Sequence, residues 1–317
     1  MKPAHPVSFD LIGDIHGHYD KLVHLLLHLG YHPHGLSFHH PEGRRIIFLG
    51  DYIDRGPKVR QVLHLVRAMV ESGDAFAIMG NHEYNAILYH EPDGRGDWLR
   101  PRRLDRDSGL RVSLAQFAEH MDEWAEWLEW MKRLPLFLDF GGLRAVHACW
   151  DLQRIPRLMG QSLADPAFLR ASARRLSPEH RAVENILKGP EMRLPEGCLF
   201  QDKVGIQRDS VRVRWWDLPA QARISQLALP EPFDAPGDAQ PHEIRRVPCY
   251  GPDEPPVFCG HYWLPPHHPR APLAPNIACL DFSAARGDHP LVAYRWQGEA
   301  LLNPAHFSPA APAILQH

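Results

Sequence analysis

Three times before residue 90 the chain repeats one pattern: a short apolar run, a turn rich in Gly, Asp, Asn and His, and then an amphipathic stretch. This is the rhythm of βα units. Strands that return in the same direction need a crossover, so the pattern commits the chain to a largely parallel sheet. The expected strands are Phe9–Ile12, Arg45–Leu49 and Ala75–Met79, each short enough to be buried. The loops after them are Gly13–His18, Gly50–Pro57 and Gly80–Glu83, and helices are expected over Tyr19–Leu29, Lys58–Ser72 and His82–Tyr89. Pro57 stands where the first turn of a helix tolerates a missing N–H. In such sheets the ligand site lies at the carboxyl ends of the strands, which turns attention to the three loops.

They read Gly13-Asp14-Ile15-His16-Gly17, Gly50-Asp51-Tyr52-Ile53-Asp54-Arg55-Gly56 and Gly80-Asn81-His82-Glu83. Carboxylate, imidazole and amide oxygen form a mixed donor set. It suits Mn, Fe, Zn or similar ions better than the all-oxygen shell of Ca or the thiolate shell of structural Zn. Two more histidines end apolar runs, His147 after Arg144-Ala145-Val146 and His261 after Val257-Phe258-Cys259-Gly260. A single Asp or Asn beside Gly is as well explained by turn and cap chemistry. Three such loops after three strands favour a site. A carboxylate shared by two ions about 3.5–4 Å apart is the geometry expected for hydrolysis at phosphorus.

The order GDxHG, GDxxDRG, GNHE, His and GH resembles the calcineurin-like metallophosphoesterases. Its Asp-Arg-Gly and Asn-His-Glu forms resemble the phosphoprotein phosphatase branch, which includes bacterial symmetrical dinucleoside tetraphosphate hydrolases. The resemblance covers the first half of the chain and returns over Phe258–Tyr294. It implies an α/β (α+β) fold of two mixed β-sheets packed as a sandwich and flanked by helices, with two divalent metal ions at one end. Carried over by position, it implies Asp14 and His16 on one metal, Asp51 bridging, and Asn81, His147 and His261 on the other. Arg55 would grip the phosphoryl oxygens together with Asn81, while a hydroxide bridging the ions attacks in line. His82 would protonate the leaving oxygen and Asp54 would orient it. The chain departs from the family at Ala148-Cys149-Trp150, where Gly-Gly often follows the histidine. No motif places the family's second phosphate-binding arginine. Arg208, Arg212 and Arg214 are candidates, with strand alternation setting Arg212 and Arg214 on one face, and an ordinary solvated face is the competing reading.

The remainder of the chain is read as follows. A charged insertion spans about residues 91–112 and carries Arg95, Arg100, Arg102, Arg103 and Arg106, which could overhang the site or form a solvated loop. One long helix is expected over Ser113–Arg133, then strands over Leu136–Phe140 and Arg144–His147, and two helices between Leu163 and Leu187. A second insertion, about 189–256, holds a hairpin around Cys198–Trp216 and a Pro-rich arm, and strands return at Val257–Cys259, Ile277–Asp281 and Leu291–Trp296. The chain reads as a single domain of 317 residues with these two interruptions. With 31 Pro in 317 residues, about twice the average share of ~5%, much of the second half is expected to be irregular. Trp215 and Trp216 read as core, with a base-stacking platform as the minor alternative. Cys149 and Cys259 read as packing residues. His24, His28, His32, His34, His39, His40, His267 and His268 read as surface or loop residues.

Composition narrows the functional classes. A chain with 44% hydrophobic and 23% charged residues is not disordered, and a net charge of −3 gives no bulk field for a nucleic acid. Five widely spaced cysteines without a C-x-x-C pair suggest reduced thiols in the cytoplasm. Nothing in the sequence resembles an export signal or a membrane span. The expected function is metal-dependent hydrolysis of a phosphomonoester or phosphoanhydride, with manganese the expected metal and Fe, Zn, Ni or Co as others. The partner is a phosphorylated protein or, alternatively, a dinucleoside polyphosphate of the diadenosine tetraphosphate type, hydrolysed symmetrically. A non-catalytic metal-binding interaction module is the rival from another class.

Overall fold

A computed structural model describes residues 8–102, 108–201, 207–230 and 237–309. Arg103 and Arg106 of the first insertion lie outside them.

Two mixed sheets form the framework. In the first, the order is Phe307–Pro309, Val292–Trp296, Phe9–Ile12, Arg45–Phe48, Ala75–Ala77. The last three strands run parallel, in the register Ile12 to Phe48 to Ala77, and Val292–Trp296 runs antiparallel to Phe9–Ile12. In the second sheet the order is Ile277–Cys279, Val257–Cys259, Arg144–Val146, Phe137–Asp139, and only the Phe137–Asp139 pairing is antiparallel. The sheets meet in one core, where the Phe258 ring lies 5.0 Å from Tyr294.

The helices that close the first sheet follow from their sequences. Leu22, Leu25, Leu26 and Leu29 form the buried stripe of Tyr19–Leu29, and Gly30, at φ 94°, ends that helix in the left-handed conformation a Cβ would disfavour. Val59–Glu71 buries Val59, Val62, Leu63, Val66 and Met69. Each such side chain contributes about 1.5–3 kcal/mol of burial free energy. Both helices match the expected spans to within a residue, and Asn81–His90 follows the third strand.

Several expectations are corrected. The long helix over Ser113–Arg133 is two, Ser108–Gln116 and Met121–Lys132. Phe117 is buried at the break, and the Gln116 side chain reaches the start of the Val59–Glu71 helix, accepting from Val59 N at 2.7 Å and donating to Gly56 O at 3.0 Å. Those tertiary bonds, rather than a Gly or Pro, stop the helix. The single hairpin around Cys198–Trp216 is two ladders: Phe200–Gln201 with Gln207–Arg208, and Ser210–Arg212 with Glu191–Arg193. A hairpin of His32–His34 and Ser37–His39, and the edge strand Phe307–Pro309, had no clear sequence signal. His40 is buried, with its ring 4.9 Å from Tyr31. Trp215, Trp216, Cys149 and Cys259 are all buried, as packing residues should be.

Parallel pairing places the functional loops together. Asp14 and His16 follow Phe9–Ile12, Asp51 to Arg55 follow Arg45–Phe48, and Asn81 to Glu83 follow Ala75–Ala77. His147, His261 and Asp281 follow the three parallel strands of the second sheet. All six segments leave carboxyl ends of strands.

Candidate metal centre

Two donor clusters share Asp51. His16 Nδ1 lies 2.8 Å from the carbonyl of Ile53, which can only accept, so Nδ1 carries the proton and Nε2 presents a lone pair. That Nε2 is buried without a hydrogen-bond partner, 3.6 Å from Asp51 Oδ2 and 4.0 Å from Asp14 Oδ2. In the second cluster His147 Nδ1 faces Leu49 O at 2.7 Å, turning Nε2 toward Asn81 Oδ1 at 3.0 Å and Asp51 Oδ1 at 3.4 Å. His261 Nδ1 is 2.7 Å from the same Asn81 oxygen, and its Nε2 is buried without a partner. One carboxylate therefore offers Oδ2 to the first cluster and Oδ1 to the second.

These donors fit divalent cations. Lone pairs of Asp14, His16, Asp51, Asn81 and His147 converge in a buried region, and acceptors facing acceptors are costly unless a cation lies among them. Burial, Asp281 and Asp51 push the Asp14 carboxyl well above the usual range. Burial would raise Asp51 too, but His147 and His82 hold it well below. Burial and neighbouring His82 depress His16, while burial, Arg212 and His147 depress His261. Imidazoles kept neutral are those able to ligate, whereas at His147 burial is outweighed by Asp51, which raises its pKa, so its Nε2 can ligate once a cation displaces the proton.

The backbone pays in strain for this convergence. His16, Asp51, Asp54, Arg55 and His261 all have φ between 45° and 73°, a region non-glycine residues seldom occupy. Two glycines are required by close approach. A Cβ on Gly260 would overlap Asp14 Oδ1, and one on Gly80 would overlap the backbone nitrogen of Asp51. Glu83 secures the Asp51 loop. Its carboxylate accepts from the N–H groups of Asp51, Tyr52, Ile53 and Gly80 at 2.8–3.2 Å. Burial and Asp51 push this carboxyl up to about 7, and the N–H donors oppose that rise.

His82 stands beside the shared carboxylate. Its Nδ1 is 2.5 Å from Asp54 Oδ2, its Nε2 is 3.9 Å from Asp51 Oδ2, and its side chain remains 16% exposed, so a substrate can reach it. Burial would lower its pKa, but Asp51 and the bond to Asp54 outweigh burial and raise it. Asp54 is fixed in turn by Ser113, whose hydroxyl donates to Oδ1 at 2.6 Å and accepts from Asp54 N–H at 2.8 Å.

The arginines separate. Arg55 is largely buried, its Nε has no partner among the described residues, and its guanidinium carbon lies 4.2 Å from the Trp263 ring centroid. Arg212 reaches the site edge, donating to His261 O at 3.1 Å. The named strand ends at Arg212, but Val213 bridges Ala228 and the alternation of buried and half-buried residues continues through Trp215, with Arg214 half-buried like Arg212 and 3.8 Å from Asp217. Arg208 forms part of the separate two-residue ladder. In the first insertion Arg102 stacks on Trp98 and Tyr89, and Arg100 bonds Asn85. The sequence reading assigned no role to Ser113, Glu83, Asp281 or Trp263. Glu83 stood inside the Gly80–Glu83 loop motif and Asp281 at the end of an expected strand, whereas Ser113 and Trp263 had no signal.

A family profile described as calcineurin-like phosphoesterase matches residues 7–167. A relative in Halalkalibacterium halodurans, named bis(5'-nucleosyl)-tetraphosphatase PrpE [asymmetrical], is 33% identical over 139 residues, covering 42% of this chain and 53% of its own. One of the same name in Geobacillus sp. is 43% identical over 77 residues, covering 24% and 31%. The chain thus spans about half the length or less of these relatives. A solved cold-active protein-tyrosine phosphatase of Shewanella is similar at 14% identity and a TM-score of 0.44, over 96% of this chain and 81% of that one. No helix among the described residues is long and apolar enough to cross a membrane. The profile spans just over half the chain and includes every loop from Asp14 to His147, and the chain belongs to the calcineurin-like phosphoesterase family.

Proposed function

We propose that this protein hydrolyses a phosphomonoester or phosphoanhydride in the cytoplasm, using two divalent cations, Mn first among them. The observation that carries this reading is Asp51, whose two oxygens serve two donor clusters with a partly exposed His82 beside them. Asp14, His16 and Asp51 would hold one cation, and Asp51, Asn81, His147 and His261 the other. When bound, the pair supplies a water of lowered pKa and positive charge for the phosphoryl oxygens.

The chain's own residues do the rest. Arg55 and Arg212 draw the phosphoryl group in, and the Arg55 fork meets two of its oxygens at once. Asn81 adds polar contact beside them, and Arg214, held near Asp217, is left as an outlying contact. His82 donates its Nε2 proton to the departing oxygen, while Asp54 keeps the ring oriented and favours its cationic form. An interaction module would need none of these groups, which argues against the non-catalytic reading. We take the whole chain as one unit, with Ser113, just after residues 91–112, buttressing Asp54 and residues 189–256 supplying Arg212.

Two substrate classes fit: a phosphorylated protein, and a dinucleoside polyphosphate, which the names of the relatives favour. Turnover of para-nitrophenyl phosphate with Mn, with and without His82→Asn, tests the chemistry. No metal-dependent turnover, or full activity in the variant, would refute it. Parallel assays with diadenosine tetraphosphate and a phosphothreonine peptide separate the classes.

A further inference from the structure

The hairpin of His32–His34 and Ser37–His39 carries histidines for which the dinuclear centre has no use. Its register pairs His32 with His39, Pro33 with Phe38 and His34 with Ser37. Partners across an antiparallel ladder point to one face, so His32, His34, Ser37 and His39 share a face while Phe38 is buried on the other. All three imidazoles of that face are exposed. The His34 and His39 ring centroids lie 6.3 Å apart, against 5.2 Å for His147 and His261, which converge on Asn81 in the metal centre. Among the described residues, the side chains of His32 and His34 are committed to no hydrogen bond or ion pair.

Asp74 fixes the third imidazole. His39 Nδ1 lies 2.8 Å from Asp74 Oδ1, while Asp74 Oδ2 accepts from the hydroxyls of Ser72 at 2.6 Å and Ser37 at 3.2 Å. Burial would raise the Asp74 carboxyl, but Ser72, His39 and Ser37 outweigh it and hold it below the usual range. An ionised carboxylate only accepts, so His39 Nδ1 carries a proton and, in the neutral ring, Nε2 presents a lone pair on the side away from Asp74. A carboxylate that sets the tautomer and orientation of a histidine in this way is the usual support of a metal-bound imidazole. Asp74 precedes Ala75–Ala77 and Asn81 follows it, so the hairpin and the dinuclear centre lie at opposite ends of that strand.

We propose that His32, His34 and His39 form a surface site for a divalent cation of the borderline class, Zn, Ni or Cu, separate from the dinuclear centre, with Asp74 orienting His39. The site goes beyond the phosphoesterase reading and does not depend on it. His39 supplies a fixed donor. His32, directly opposite, and His34, on the diagonal, supply theirs by rotation of exposed side chains, a motion of picoseconds to nanoseconds. Water completes the shell. An imidazole donor set selects these ions over Mn and Mg, which prefer oxygen, so the two sites differ in the metal they take. The bound ion ties the two strands of the hairpin together.

The test is equilibrium dialysis of the full chain, in excess Mn, against Zn buffered at about 1 μM, where only a site with a Kd near that value or tighter fills. Elemental analysis counts the bound Zn. The unmodified chain binds about one Zn more than His32→Gln/His34→Gln, and whatever Zn the dinuclear centre takes up is common to both. That variant keeps the bond between His39 and Asp74, so loss of ligands is not confused with loss of the hairpin's anchor. Asp74→Asn leaves the three ligands in place and weakens the site about tenfold. Zn raises the melting temperature of the unmodified chain above that of the double variant, whereas the two melt together in Mn alone. Equal Zn counts in the unmodified chain and the double variant overturn the proposal. So does a lower count accompanied by loss of Mn-supported para-nitrophenyl phosphate turnover, which would place the lost ion in the dinuclear centre. The count itself needs no turnover, so failure of this site is distinguishable from failure of the phosphoesterase reading.

Discussion

Replacing Ser113 by Ala removes a single oxygen, yet that oxygen holds Asp54 at two points. Its hydroxyl donates to Asp54 Oδ1 at 2.6 Å and accepts from Asp54 N–H at 2.8 Å. Ser113 is 0% exposed and Asp54 4%, so water does not replace either bond. A hydrogen bond to a charged group contributes about 1.5–3 kcal/mol, and a buried N–H left unpaired costs about 1–3 kcal/mol. Ser113→Ala should therefore lose about 3 kcal/mol of stability. The catalytic effect has a separate origin. Asp54 Oδ2 orients His82 at 2.5 Å, and a carboxylate freed on its other side can rotate away from that position. With each 1.4 kcal/mol of lost transition-state stabilisation worth about tenfold, kcat should fall roughly ten- to a hundredfold. Urea unfolding measures the first effect. Turnover of para-nitrophenyl phosphate, at a temperature where the variant remains folded, measures the second. Ser172→Ala is the control, since that buried hydroxyl bonds Leu169 and Tyr84 and should cost stability without a comparable fall in kcat. A stability loss under about 1 kcal/mol, or a kcat within twofold of the original, would refute the reasoning.

Other consequences can be checked directly. Asp51→Asn removes the anion both clusters share, so bound Mn measured by elemental analysis should fall below two per chain and turnover by at least about a hundredfold. Gly260→Ala forces a Cβ into Asp14 Oδ1 and should cost about 1–3 kcal/mol together with weaker metal binding; an unchanged melting temperature would contradict the close approach. Stripping the metals with a chelator should lower the melting temperature, and added Mn should restore it, because the buried carboxylates then repel without compensation. Away from the site, Glu123 is opposed by burial but held down to about 2 by Arg60, Trp127 and His64. A carboxylate depressed on folding stabilises above its unfolded value, near 4.5, and loses that contribution as pH falls toward 2. Its partly exposed setting limits this to about 1 kcal/mol, so Glu123→Gln should flatten the acid limb of the stability profile by that amount.

Legibility in the sequence followed distance along the chain. Asp14, His16, Asp51 and Asn81 each follow a strand within a few residues, so a local pattern identified both the element and the donor that leaves it. His147 and His261 were legible for the same reason, because each ends an apolar run. Glu83 was visible as a letter of its motif, but its grip on four backbone N–H groups was not. The 189–256 region was marked by composition as irregular, and composition could not tell one hairpin from two ladders.

The sequence alone determined the βα rhythm, the parallel sheet and the donors at its carboxyl ends. These are period and propensity effects, decided over about five to fifteen residues. The tertiary structure decided which far-off groups meet those donors. Ser113 lies 59 residues from the Asp54 it fixes. Arg212 meets His261 across 49 residues, while Arg214, two positions on, turns to Asp217. Trp263 gathers Arg55 and Arg286 from opposite ends of the chain. Such contacts depend on where a side chain points after its strand ends and on which loop packs against it. Neither is encoded in a local period, and both are set when two sheets close on one core.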